Sequence, residues 1–156
     1  MKLTHLDAKG RPRMVDVGDK AETKRMARAC GEIALGRKTL ELIAANAVPK
    51  GDVLTTARLA GIQAAKKASE WIPLCHPLRL THIDVAVVPS PDEGLVRVTA
   101  EVKAIDRTGV EMEALAAVAA ACLTVYDMCK AADKRMVIGG IRLLAKEGGK
   151  SGSFAW

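Results

Sequence analysis

Aromatic side chains are scarce in this sequence: one Phe, one Tyr and two Trp stand among 156 residues. Proteins that hold single-stranded nucleic acid stack its bases on aromatic platforms, and this chain has almost nothing to stack on. Histidine is as rare, with only His5, His76 and His82. A zinc centre draws about four ligands from one cluster, and neighbours such as Cys75 and His76 seldom reach the same ion, so no metal site is expected. The four cysteines at 30, 75, 122 and 129 form no C-x-x-C pair and no disulfide framework. They are expected to be reduced and buried. The longest apolar run, Ala114 to Tyr126, falls short of the roughly 20 residues that span a bilayer and predicts a buried helix. The opening "MKLTHLDAKGRPRM" has no apolar core of a secretory signal. These absences point to a cytoplasmic protein that partners neither a membrane nor nucleic acid.

What is present is a basic chain of ordinary globular make-up. It is 49% hydrophobic and 27% charged, and the net charge of +6 favours anionic partners. With nucleic acid disfavoured, a small phosphorylated molecule is the better candidate. The length suits one domain over residues 1–156 with a continuous core. The segments 1–22 and 147–156 are expected to be an extended arm and a mobile tail.

The run from Thr23 to Gly36 alternates apolar and polar residues, and Gly31 within it favours a strand over the helix that its Ala content would also allow. "RKTLELIAANAV" predicts a short helix ended by Pro49 and Gly51. "GDVLTTARLAGIQAAKKASEWI" predicts an amphipathic helix with Asp52 as N-cap and Leu54, Ala57, Gly61, Ala64, Ala65 and Ala68 facing inward. "LRLTHIDVAVVP" and "GLVRVTAEVKAID" alternate across a short Pro/Asp/Gly connection and predict a hairpin. Thr108-x-x-Glu111 matches a capping box opening a long helix to about Lys130, and "RMVIGGIRLLAK" predicts a last strand. The order strand, helices, strand, strand, helix, strand is the α+β, ferredoxin-like arrangement: an antiparallel sheet with helices on one face.

Several residues could carry chemistry. "WIPLCHPLRL" sets Cys75 and His76 between prolines and apolar flanks; the pair could be a metal site, a nucleophile, a substrate clamp or core. Glu111 and Glu113 suit a helix N-terminus, and at i, i+2 they point about 200° apart, so both cannot line one pocket. Asp127 and Lys130 share a helix face at i, i+3. An Asp in a last turn opposes the helix dipole, which invites a functional reading. Lys50, just before a helix start, would suit a phosphate seat, while spacing alone favours a solvated loop lysine. Lys66, Lys67, Arg79, Lys134, Arg135 and Lys146 read by default as solvated surface. "GGKSG" is not a phosphate-binding P-loop: Leu144 stands where that motif needs glycine, and no helix can follow.

Three long stretches carry a resemblance: "MVDVGDKAETKRMARACGEI", "KGDVLTTARLAGIQAAKKASEWIPLCHPLRL" and "GVEMEALAAVAAACLTVYDMCKAADKRMVIGGIRLLAKEGGKSG". The chain resembles the molybdenum cofactor biosynthesis protein C family, the cyclic pyranopterin monophosphate synthases, over residues 3 to 152. The resemblance implies a ferredoxin-like fold and a hexamer, a trimer of dimers with sites at dimer interfaces. It also implies a place after the radical enzyme that cyclises GTP. The reaction implied converts 3′,8-cyclo-7,8-dihydro-GTP to cyclic pyranopterin monophosphate and releases pyrophosphate. By motif, Asp127 is the catalytic acid/base, with Lys130 and Lys50 as catalytic lysines. Leu74, Cys75, His76, Met112 and Glu113 form the substrate-binding segments; Arg25, Lys66 and Lys146 are further substrate-binding candidates, and Lys20, like Arg25 near the N-terminus, is named with them. The chemistry needs general acids and bases but no redox cofactor; Mg²⁺ can accompany the triphosphate. A lysine base would need its pKa drawn toward neutrality. The alternative is a nucleotide-binding assembly domain without catalysis.

Overall fold

The structure, a computed structural model, describes residues 5–150 and 152–156. Strand β1 (Thr23–Ala34) leads to helix α1 (Arg37–Ala44), α2 (Val53–Lys66) and a single turn α3 (Ala68–Trp71). Strands β2 (Leu80–Ser90) and β3 (Leu95–Asp106) follow, then helix α4 (Glu111–Cys129), β4 (Val137–Glu147) and β5 (Phe154–Ala155). The five strands lie in the order β2-β3-β1-β4-β5 with every neighbouring pair antiparallel. The first four strands, with α2 and α4 laid on the sheet, are the ferredoxin-like arrangement that the element order predicts.

Alternation on the central strands sets the faces. Ala27, Ala29 and Ile33 of β1 and Val96, Val98, Ala100, Val102 and Ala104 of β3 are buried under the helices. Arg28, Arg97 and Lys103 point to the opposite face and are exposed. Small residues let the layers approach. A Cβ on Gly61 of α2 would sit 2.9 Å from the Ala117 carbonyl of α4, and one on Gly31 would sit 2.7 Å from Val118. By length and composition α4 is apolar enough to cross a membrane, but over half of its apolar window is buried inside the domain. Its apolar composition is that of a core helix.

Three local expectations need correction. The capping box does not form: α4 starts after Val110 with no side-chain cap, because the Glu111 carboxylate reaches across the chain to Lys146 instead. The long second helix breaks at Lys67 into α2 and α3. The C-terminal segment supplies a fifth strand that had no sequence signal of its own. Ala155 and Phe154 pair with Ala145 and Lys146, and the Trp156 N–H donates to the Leu144 carbonyl.

Candidate active site

Helix α4 carries polar groups of interest at both ends. At its C-terminal end Asp127 accepts from two lysines. Lys50 Nζ donates to Asp127 Oδ2 at 2.5 Å and to the Asp127 carbonyl at 3.1 Å. Lys130 Nζ lies 2.8 Å from Oδ1. The turn at Pro49-Lys50-Gly51, with Gly51 at φ +92°, aims Lys50 at a carbonyl that α4 cannot satisfy internally. Lys50 thus pairs with the end of α4 although it directly precedes the start of α2. That helix N-terminus is already satisfied by Asp52, whose carboxylate accepts from the Thr55 N–H.

The electrostatics of this trio run one way. The ammonium groups of Lys130 and then Lys50 hold the Asp127 carboxyl down at about 2, and Asp127 in turn raises the Lys130 pKa. The expectation of a lysine drawn toward neutrality is therefore reversed for Lys130. In this arrangement it is an ammonium donor, paired with a carboxylate that stays ionised. All three side chains are about half exposed, so solvent tempers the coupling.

A second group gathers near the other end of α4. Between Pro73 and Pro77 the chain turns, with the Cys75 N–H donating to the Ile72 carbonyl. Cys75 Sγ meets Glu113 Oε1 at 3.5 Å, and His76 Nε2 lies 2.7 Å from the Val15 carbonyl. Glu113 is only 3% exposed, and its Oε2 has no hydrogen-bond partner. Burial raises the Glu113 pKa. Burial and the adjacent Glu113 push the Cys75 thiol up to about 11, which leaves it a poor nucleophile. Leu74 and Met112 flank this group with partly exposed side chains.

A cavity of about 800 Å³ opens on the far side of Glu111. Lys20, Arg25, Arg107, Lys146 and Lys150 line it, together with Gly148 and Gly149. Arg25 is held by the carbonyls of Asp106 and Arg107 at 3.3 and 3.2 Å, and Lys146 meets Glu111 Oε1 at 2.9 Å. Glu111 thus lines the cavity while Glu113 turns into the core beside Cys75, as their i, i+2 spacing requires. Arg107 was not singled out in the sequence, and Lys150 with the two glycines was considered there only as part of the rejected P-loop. Arg107 stands just before the Thr-Gly that leads into α4, and that position was its only signal. Lys66 is exposed in the last turn of α2 and is not among the lining residues. Among the described residues, no three His, Cys, Asp or Glu side chains gather as a set that could hold a metal.

The chain thus brings Asp127, Lys50 and Lys130 together, and Cys75, His76 and Glu113 together, with Arg25 and Lys146 in a cavity beside the latter. It does not join the first group to the others. Glu113 and Asp127 are 14 positions apart on α4, about 21 Å along its axis at the helical rise.

A ferredoxin-like domain with a cation-lined cavity at one end of a core helix and a carboxylate–lysine cluster at the other is equipped for acid–base work on a polyanion. The chain belongs to the MoaC family, whose family model matches residues 14–149. It is 57% identical over 152 residues to the cyclic pyranopterin monophosphate synthase of Pelotomaculum thermopropionicum, covering 97% of this chain and 89% of that one. It is 60% identical over 152 residues to the enzyme of the same name from Methylobacterium nodulans, covering 97% and 95%. The Roseiflexus castenholzii synthase is 57% identical over 150 residues, covering 96% and 95%.

Proposed function

We infer that this chain is a cyclic pyranopterin monophosphate synthase of molybdenum cofactor biosynthesis, a lyase that converts 3′,8-cyclo-7,8-dihydro-GTP to cyclic pyranopterin monophosphate and pyrophosphate. The observation that carries the reading is the near-full-length identity to synthases of that name. The convergence of Lys50 and Lys130 on Asp127 adds to it.

The triphosphate belongs in the cavity, where Lys20, Arg25, Arg107, Lys146 and Lys150 offset its charge. The ring system lies toward Leu74, Cys75, His76, Met112 and Glu113. Opening the purine-derived ring by hydrolysis and closing the new ring move protons among nitrogen, oxygen and water, which positioned acids and bases accomplish. Closing the cyclic phosphate requires a hydroxyl to attack the α-phosphorus while pyrophosphate leaves, and ammonium groups stabilise that departing charge. Lys130, held protonated by Asp127, and Lys50, paired with the same carboxylate, are the donors for such steps; Asp127 orients both. Any Mg²⁺ enters with the triphosphate as part of the substrate, and no step of this reading runs through it.

The two ends of α4 meet in this reading through a second copy of the chain. Met112, Leu115, Ala119, Leu123 and Tyr126 fall within about 80° of one another around α4 at 100° per residue, and none is fully buried. This apolar stripe suits another α4 packed antiparallel about a two-fold axis near Ala120. Such pairing would set Asp127 of one copy opposite Glu113 of the other, since both lie seven residues from Ala120. A hexamer built from such dimers, a cytoplasmic location and a place after the radical GTP cyclase belong to the same proposal. Lys66 enters through the resemblance alone.

The test is single-turnover release of pyrophosphate from 3′,8-cyclo-7,8-dihydro-GTP by the native protein and by Asp127→Asn. Native release with pterin product, lost by about 10²-fold or more in a folded variant, is the expected result. Binding without release by the native protein would overturn it in favour of a nucleotide-binding assembly domain.

A further inference from the structure

Residues 15–22 form no strand, yet polar contacts fasten them along their length. The Val15 carbonyl lies 2.7 Å from His76 Nε2. Arg107 Nη1 donates to the Gly18 carbonyl at 2.8 Å, and Glu22 Oε2 meets Arg79 Nη2 at 2.8 Å. Within the segment the Gly18 N–H donates to Asp16 Oδ1 at 2.8 Å, and the Lys20 N–H donates to the Val17 carbonyl at 3.0 Å. The strap so held runs from the Cys75-His76 segment to the cavity, whose wall includes Asp19, Lys20 and Ala21.

A backbone carbonyl can only accept, so the Val15 contact requires a proton on His76 Nε2. In the neutral ring the lone pair then resides on Nδ1, and among the described residues no hydrogen bond engages that atom. A ring whose two nitrogens were both free in solvent would sample both tautomers. The strap removes one of them.

We propose that Arg107 is a positioning residue that acts through this strap: by holding Gly18 it keeps the Val15 carbonyl on His76, locks the imidazole in its Nε2–H tautomer and leaves Nδ1 as the acceptor presented to substrate. Arg107 is built into its surroundings on three sides. Its N–H donates to Asp106 Oδ1 at 2.8 Å, its carbonyl accepts from Arg25, and its guanidinium holds Gly18. A cation whose whole task was to meet phosphate would not need to grip the strap. The role of Nδ1 toward substrate rests on the synthase reading above; the tautomer does not.

The experiment is a long-range ¹H–¹⁵N correlation spectrum of histidine-labelled protein at a pH where the rings are neutral. With three histidines, His76→Gln assigns the signals. The expected native spectrum shows His76 protonated at Nε2 and bare at Nδ1. An Nδ1–H form, or an even mixture, overturns the proposal, and this readout needs neither substrate nor turnover. Arg107→Gln is expected to convert His76 to a mixture while the His5 and His82 signals stay in place. Its kcat should fall in proportion to the fraction of rings left in the Nε2–H form, about twofold for an even mixture, apart from any rise in KM caused by the lost cavity cation. A His76 tautomer unchanged in Arg107→Gln would also overturn the proposal. The native spectrum decides alone if that variant fails to fold. Absence of pyrophosphate release with the tautomer intact would count against the synthase reading and not against the strap.

Discussion

Lys50 Nζ sits 2.5 Å from the Asp127 carboxylate and 3.1 Å from the carbonyl of the same residue. One ammonium therefore joins the turn before α2 to the end of α4, satisfying a carbonyl that has no partner within the helix. It also removes the conflict between an Asp and the negative end of a helix dipole. Lys130 completes the neutralisation from the next turn, and the cluster carries a surplus positive charge that an anionic group can meet.

If that cluster works on substrate held by the opposite end of another α4, two dead variants should revive each other. Asp127→Asn and Glu113→Gln, each inactive alone, are expected to give about a quarter of native turnover when mixed at equal amounts and allowed to exchange subunits. Half of the dimers are then mixed, and each mixed dimer has one intact site of two. Pyrophosphate release on mixing measures this. No recovery despite demonstrated exchange would place both residues in one chain's site, against the 14 positions of helix that separate them.

Glu113 predicts a stability that depends on pH. Its folded pKa is raised above the ordinary 4.5, so the native fold binds this proton more tightly than the unfolded chain does. The corresponding stability is present below about 4.5 and is lost as pH rises through the folded value. Glu113→Gln lacks that titration. Relative to the native protein its melting temperature is expected to climb between pH 4 and pH 8, by ~3 °C for a gain of about 1 kcal/mol, while turnover falls. Melting curves that stay parallel across that range would contradict it.

The paired glycines at the cavity rim should respond differently to alanine. Both take positive φ, a conformation that costs an alanine about 1–2 kcal/mol. A Cβ at Gly148 would in addition lie 2.1 Å from the backbone carbonyl of Lys24, whereas one at Gly149 would lie 1.7 Å from Nη1 of the Arg25 side chain. Gly148→Ala is expected to compromise folding. Gly149→Ala is expected to fold, displace Arg25 and raise KM about tenfold, the loss of one charge-assisted hydrogen bond. Gly10→Ala, with φ +75° and nothing within 4 Å, controls for the backbone cost and should leave KM alone. Equal KM values for Gly149→Ala and Gly10→Ala would remove Arg25 from substrate binding.

Much of the fold was legible because local rules act over short range. The period-two alternation of β1 and β3, the Asp52 cap and the small-residue face of α2 all appear as read. The capping box failed because Glu111 had a stronger partner 35 residues away in Lys146, and no local pattern reports a distant ammonium. Strand β5 was invisible for a like reason: two residues have no period, and only the open edge of β4 makes them a strand.

The same division holds for the candidate site. Residue types and long motifs, by resemblance, singled out Asp127, Lys130, Lys50, the Cys75-His76 segment and Glu113 from the sequence alone. The sequence by itself also determined the element order and the sheet's buried face, because both follow from side-chain periodicity along a single segment. Tertiary structure alone decided that Lys50 serves the end of α4 and not the start of α2, that Lys130 is held protonated, and that Arg107 grips the strap over His76. Each of these depends on which charges and carbonyls meet across tens of residues, and electrostatic coupling is set by distance in space, not by distance along the chain.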